Sequence, residues 1–221
     1  MRWLGLATDF DGTLAAEGSV APSTAAALAR LRASGRRLVM VTGRELPSLR
    51  ATYPQLDSFD LVVAENGGLL YGPADGSSTV VGPSPSPALI EALQARGVPI
   101  STGAVIVATW SPHHDTVCEI IAQLRLDVRV VLNKGAVMIL PNGVDKATGL
   151  ARAAAALSLP LSSFVGIGDA ENDLSLFKAC GLGVAVANAL DEVKAQADLV
   201  MRGARGEGVE ELIERLLAST S

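Results

Sequence analysis

The segment Leu4-Gly5-Leu6-Ala7-Thr8-Asp9-Phe10-Asp11-Gly12-Thr13 decides the fold. Trp3 to Thr8 is an unbroken apolar run that reads as a buried strand, and it closes on Asp-Phe-Asp. Alternate side chains of a strand share a face, so Asp9 and Asp11 are expected to point one way and Phe10 into the core. Two carboxylates at the carboxyl end of a first strand stand where open α/β sheets bind ligands. Their mutual repulsion calls for compensation, and a hard, oxygen-seeking divalent cation supplies it. A candidate nucleophile, a candidate proton shuttle and a metal together point to phosphoryl transfer.

The chain has 221 residues, enough for one large domain or two modest ones, and 49% of them are hydrophobic, enough to bury a core. A formal charge of -5 argues against nucleic acid or an anionic membrane as partner. Cys118 and Cys180 are far apart and match no metal spacing, so both read as small buried hydrophobes. Met1-Arg2 leads straight into the first strand with no signal-peptide pattern, and the apolar stretches break well short of a membrane span. A soluble, cytoplasmic protein is expected, as a monomer or a homodimer.

Outward from the first strand, the chain alternates helix and strand. Pro22-Ser23-Thr24 opens an Ala/Leu helix that stops near Gly35. A strand over 37–41 ends at Thr42-Gly43-Arg44, and a helix over 45–52 follows. A strand over 61–64 then runs into Glu65-Asn66-Gly67-Gly68. This alternation predicts a parallel sheet covered on both faces.

The Pro-rich run Gly82-Pro83-Ser84-Pro85-Ser86-Pro87 marks a boundary. Beyond it stands an αββαββ order: a helix over 88–96, strands over 98–101 and 104–110, a helix over 113–126, and strands over 128–132 and 136–140. The α/β alternation resumes with a helix over 145–157 and a strand over 164–167 that ends in Gly168-Asp169-Ala170-Glu171-Asn172-Asp173. A strand over 182–187, a helix over 191–196, the edge strand Leu199-Val200 and a closing amphipathic helix over 208–218 complete the reading. The expected fold is α/β: a Rossmann-like doubly wound parallel sheet from 1–82 and 141–221, with a small α+β insert over 83–140.

Four segments fall at strand ends or at the next helix start: Asp9-Phe10-Asp11-Gly12-Thr13, Thr42-Gly43-Arg44, Lys146, and Gly168 through Asp173. In that order they resemble the four motifs of the haloacid dehalogenase-like superfamily, along the whole chain. The insert, lying between the second motif and the lysine, resembles the type-B cap of the Cof-like sugar-phosphate phosphatases. That branch also holds sucrose phosphatase and archaeal phosphoglycolate phosphatase.

The resemblance implies a Mg²⁺-dependent phosphatase for a small phosphate ester, working through an aspartyl phosphate. It makes Asp9 the nucleophile and Asp11 the general acid and base. Mg²⁺ is held by Asp9, the Asp11 carbonyl and Asp169. Thr42, Gly43 and Lys146 meet the phosphoryl oxygens, Asn172 donates to phosphate, and Asp173 holds metal-bound water or Lys146. Arg44 either touches substrate or pairs with a nearby carboxylate. Taken singly, several of these have plainer readings: an Asx-turn for the Asp pair, a tight turn for Asn66-Gly67, an acidic helix start for Glu171. A lysine at the start of a helix opposes the helix dipole, and that misfit favours a functional Lys146.

Three competing identities follow from the same residues. Gly166-Ile167-Gly168 lacks the third glycine of a dinucleotide fingerprint, with Glu171 in its place. A phosphomannomutase-like enzyme needs clustered basic residues in the cap, where this chain offers Arg96, Arg125, Arg129 and Lys134. A non-catalytic binding module would be expected to have lost one of Asp9, Asp11, Lys146 or Asp169, and all are present.

Overall fold

The computed structural model describes residues 2–218. In chain order the first part holds β1 (Gly5–Thr8), α1 (Pro22–Ala33), β2 (Arg37–Val41), α2 (Leu46–Thr52), β3 (Leu61–Ala64), β4 (Leu69–Gly72) and β5 (Ser77–Val80). The middle holds α3 (Pro87–Ala95), β6 (Ser101–Thr102), β7 (Val107–Trp110), α4 (His114–Leu124), β8 (Val128–Asn133) and β9 (Ala136–Pro141). The last part holds α5 (Lys146–Ala156), β10 (Phe164–Gly168), α6 (Asp173–Ala179), β11 (Leu182–Ala185), α7 (Asp191–Lys194), β12 (Leu199–Val200) and α8 (Gly206–Ala218).

Two sheets result, ordered β12-β11-β10-β1-β2-β3-β4-β5 and β6-β7-β9-β8. β1 pairs in parallel with β10 on one side and β2 on the other, so the chain order reverses beside it. That is the place where α/β sheets open a crevice at the strand ends. Successive β1 residues Leu6 and Ala7 are both fully buried, one in each of two cores. Leu28, Leu31, Leu212 and Leu216 of α1 and α8 cover one face, and Leu150, Ala153 and Leu176 of α5 and α6 cover the other. A strand buried on both faces has no solvent-facing positions to alternate, which is why the run before Asp9 is apolar but for Thr8, whose buried hydroxyl donates to the Asp9 carbonyl at 2.8 Å.

The large sheet is mixed, not wholly parallel. β4 and β5 form an antiparallel hairpin that extends it beyond β3. The apolar alternation in 69–72 is short, and every β5 residue is exposed, so the hairpin left little pattern to read. The β6 strand is only Ser101–Thr102, three residues on from the expected start, because Val98 turns into the core under α3 and α4. The first strand begins at Gly5 rather than Trp3. Cys118 is exposed and only Cys180 is partly buried, correcting the expectation of two buried thiols. Among the described residues no helix is long and apolar enough to cross a membrane.

In the smaller sheet β9 alternates. Val137 and Ile139 face Leu89, Leu93, Val117 and Ile120 of α3 and α4, while Met138 and Leu140 pack with Val105, Ile106 and Val144. The second face lies over the large sheet: a Cβ placed on Gly43 would come 3.2 Å from the Met138 sulfur.

α5 is seated by a close approach. A Cβ on Gly149 would stand 2.4 Å from the Val63 side chain and 2.6 Å from the Gly67 backbone. Gly149→Ala should therefore destabilise the protein in urea by about 1–3 kcal/mol through overpacking, outweighing the gain of up to about 1 kcal/mol in helix propensity. A more stable variant would contradict this packing.

Candidate active site

Asp9 follows β1 directly, its N–H donating to the Ile167 carbonyl at 3.0 Å, and its side chain is nearly buried. Lys146, the first residue of α5, is fully buried. Its Nζ donates to Asp9 Oδ1 at 2.6 Å and to Asp173 Oδ1 at 2.5 Å. The helix start is fixed by a reciprocal cap, in which Asp145 accepts from the Thr148 N–H at 2.8 Å and the Thr148 hydroxyl accepts from the Asp145 N–H at 2.9 Å. A lysine that the helix dipole would disfavour is thus held by two carboxylates.

Asp173 is committed to the loop. Its Oδ2 accepts from the Asp169 and Ala170 N–H groups at 2.9 and 3.0 Å, which folds the acidic loop back on itself. Asp169 accepts from Thr13 at 3.2 Å and from Asn188 at 3.4 Å, and it pairs with Lys134 from the β8–β9 turn. Gly12, at φ +81, passes so close to Asp169 that a Cβ would lie 2.2 Å from its Oδ2. Only a glycine serves at that position.

Oxygens of Asp9, Asp169 and Asp173 all lie within 4.8 Å of one another. Three buried carboxylates there face two ammonium groups, Lys146 and Lys134, which leaves excess negative charge. Burial, reinforced by Asp173 and Asp169, pushes Asp9 up to about 8 although Lys146 opposes it. Burial also raises Asp169. For Lys146 burial works against the charge, but Asp173 and Asp9 outweigh it and hold the ammonium well above the usual lysine range. A hard cation with oxygen ligands suits this donor set, since it replaces the missing positive charge.

Asp11 lines the same cleft as Asp9, but its carboxylate is taken by Arg44. The guanidinium donates from Nε to Oδ2 at 2.6 Å and from Nη2 to Oδ1 at 2.7 Å, with Nη1 on the Thr52 hydroxyl at 2.9 Å. The hydrogen bonds to Asp11 raise the Arg44 pKa further. Of its two expected roles, Arg44 here has the ion pair. Thr42 and Gly43 stand at the cleft, with the Thr42 hydroxyl accepting from the Arg44 N–H at 3.1 Å. Asn172 is buried, its Nδ2 donating to Asn66 Oδ1 at 3.0 Å and lying 3.8 Å from where a Gly43 Cβ would stand. Arg129 is drawn to the Val144 carbonyl and Asp145 at 3.0 and 3.2 Å, away from the cleft.

The family model of the haloacid dehalogenase-like hydrolases matches residues 6–95 and 105–213. The chain belongs to this family. A phosphoglycolate phosphatase of Natronomonas pharaonis is 34% identical over 220 residues, covering 95% of this chain and 96% of the relative. Among solved structures, a haloacid dehalogenase-like hydrolase of Bacteroides thetaiotaomicron has a TM-score of 0.82 at 22% identity, covering 97% of this chain and 99% of its own. A sugar phosphatase of subclass IIB within the same superfamily has a TM-score of 0.79 at 16% identity, covering 96% and 98%.

Two further residues complete this haloacid dehalogenase-like site. Asn188, just after β11, donates to the Gly12 carbonyl at 2.8 Å and accepts from the Arg205 N–H at 2.7 Å, bracing the loop that carries Asp11. It is the first polar residue after an apolar strand, the same signal that marked Asp9. Glu65 is buried at φ 53 and accepts the N–H groups of Ala104, Val105 and Ile106 at 3.0, 2.8 and 3.2 Å. It ties the turn after β3 to the segment entering β7, across a sequence separation that no local pattern reports.

Two outcomes are expected. Glu65→Ala leaves three backbone donors without their acceptor and should cost about 3 kcal/mol or more in denaturant unfolding; a loss below 1 kcal/mol would remove the clamp. The unfolded Asp9 carboxyl ionises near 3.8 and the folded one near 8, so between these values the folded chain holds an extra proton and loses stability as pH rises. A cation competes with that proton, so Mg²⁺ should raise Tm more at pH 8 than at pH 6. A shift at pH 8 no larger than at pH 6, in a thermal melt, would contradict the assignment.

Proposed function

We propose that this haloacid dehalogenase-like phosphatase hydrolyses a small phosphorylated metabolite of the phosphoglycolate or sugar-phosphate class through an aspartyl phosphate on Asp9. The observation that carries the reading is the buried Lys146 ammonium joining Asp9 to Asp173 at the strand end beside the reversal of strand order. An Asp9 oxygen attacks phosphorus and the phosphorus–oxygen bond to the leaving group breaks, with Asp11 giving its proton to the departing alkoxide. Water then attacks the same phosphorus and passes a proton to Asp11. The bond between Asp9 and phosphorus breaks, and inorganic phosphate leaves. Lys146 keeps Asp9 oriented and offsets its charge against the incoming phosphate.

Mg²⁺, held by Asp9, Asp169 and the Asp11 carbonyl, would offset the charge on the transferring phosphoryl group. Thr42 and Gly43, which line the cleft with Asp9, would donate to the phosphoryl oxygens. Asp173 works through Lys146 and the loop rather than on phosphate. Arg44 donates to both Asp11 oxygens, which orients the carboxylate and leaves a second lone pair on each oxygen for the proton.

Residues 83–140 are the cap of this reading, and 1–82 with 141–221 the catalytic core. The cap closes over the cleft to exclude water while Asp9 is being phosphorylated. Its basic residues are too dispersed for a mutase that grips phosphate at either end of a sugar. Arg96 pairs with Glu119 and Arg129 with Asp145. The relatives named phosphoglycolate phosphatase support the small substrate.

Wild-type protein should hydrolyse p-nitrophenyl phosphate with Mg²⁺ and lose at least about 10³-fold in excess chelator or as Asp9→Asn. Asp11→Asn should let label from a phosphate ester accumulate on the protein, because water then lacks its base. Turnover undiminished by Asp9→Asn would end this reading.

A further inference from the structure

Among the described residues lining the cleft that holds Asp9 and Asp11, the cationic side chains are Arg44 and Lys134. Arg44 is used on Asp11 through two hydrogen bonds. Lys134 is therefore the positive group on the wall contributed by the smaller sheet. Its backbone position is costly. Lys134 and Gly135 form the two-residue turn between β8 and β9, with Asn133 opposite Ala136 and φ of 45 and 90. Such turns favour Asn, Asp or Gly at the first position, and a lysine there carries strain. The turn is braced over the large sheet, with the Lys134 N–H donating to Glu171 at 3.1 Å while Nζ reaches Asp169. A strained residue held over the reacting carboxylates by a neighbouring loop has its side chain placed for a purpose beyond the turn.

We infer that Lys134 reads the non-reacting end of the substrate, selecting phosphate esters that carry a carboxylate one or two carbons from the ester oxygen. The inference rests on the phosphatase reading above and adds the group that recognises the rest of the molecule. The lysine ends at the level of the catalytic carboxylates, so the anion it meets lies close to the reacting phosphate. Met138, packed against Gly43, limits the depth beside it and keeps the substrate short. When substrate enters, a carboxylate takes Nζ from Asp169 in a charge-assisted hydrogen bond. An uncharged analogue leaves Nζ on Asp169 and forgoes the charge-assisted bond, so the preference equals what the carboxylate gains over an uncharged group at that ammonium.

The test compares 2-phosphoglycolate with 2-hydroxyethyl phosphate, in which a hydroxymethyl group replaces the carboxylate, for wild type, Lys134→Met and Lys134→Arg. Wild type should favour the carboxylate by kcat/KM. Lys134→Met should cut that preference about 10- to 100-fold, chiefly through KM for phosphoglycolate, and Lys134→Arg should restore most of it. A wild type that hydrolyses both esters without preference, or a Lys134→Met whose preference is unchanged, overturns the role of Lys134 and leaves the phosphatase standing. A wild type inactive on both esters and on p-nitrophenyl phosphate overturns the phosphatase reading and this inference with it.

Discussion

The buried ammonium of Lys146 is the interaction on which the site depends. Removing an ion from water costs several kcal/mol even after relaxation, and the cost is offset only where the geometry supplies partners. Here Asp9 and Asp173 supply them at 2.6 and 2.5 Å. Deleting one member of such a group costs about 3–5 kcal/mol, a large part of the about 5–15 kcal/mol that holds a domain folded. Structure and chemistry are thus set by the same contact. The reciprocal cap of Asp145 and Thr148 and the close seating of Gly149 on Gly67 aim Lys146, and Asp173 in turn folds the loop that presents Asp169.

The excess of buried carboxylate over ammonium suits the place to a hard cation. Burial pushes the Asp9 carboxyl up against the opposing Lys146 ammonium, and a hard cation in the acidic cluster would favour its ionised form. Around that centre two clamps join distant parts of the chain. Asn188 braces the Gly12 turn from β11, and Glu65 ties the turn after β3 to the smaller sheet. The Glu65 and Asn66 N–H groups meanwhile donate to the Arg44 and Thr42 carbonyls, so the residues lining the cleft and those holding the smaller sheet share one turn.

Much of this was legible in the sequence, and for a physical reason. Parallel strands buried on both faces are largely apolar, so the polar residues that follow mark a strand end; Asp9 after Thr8, Thr42 and Asp169 stand out in that way. β2 and β3 begin and end where the apolar runs do. The β4–β5 hairpin was not legible, because its outer strand is exposed throughout and carries no alternation. Side-chain partners were legible only where chemistry left few choices. Lys146 had to find carboxylates, whereas Arg44 could take either substrate or Asp11, and Arg129 turned to Asp145. The Glu65 clamp spans some forty residues and involves backbone donors of no particular sequence.

The central claim is that this buried arrangement makes Asp9 the nucleophile, and borohydride trapping tests it most directly. An acyl phosphate is reduced to an alcohol, so wild-type protein quenched with borohydride during turnover should carry homoserine at position 9. That product should be found by peptide mass spectrometry and should be absent without substrate. Homoserine at another acidic position, with Asp9 intact, would contradict the account.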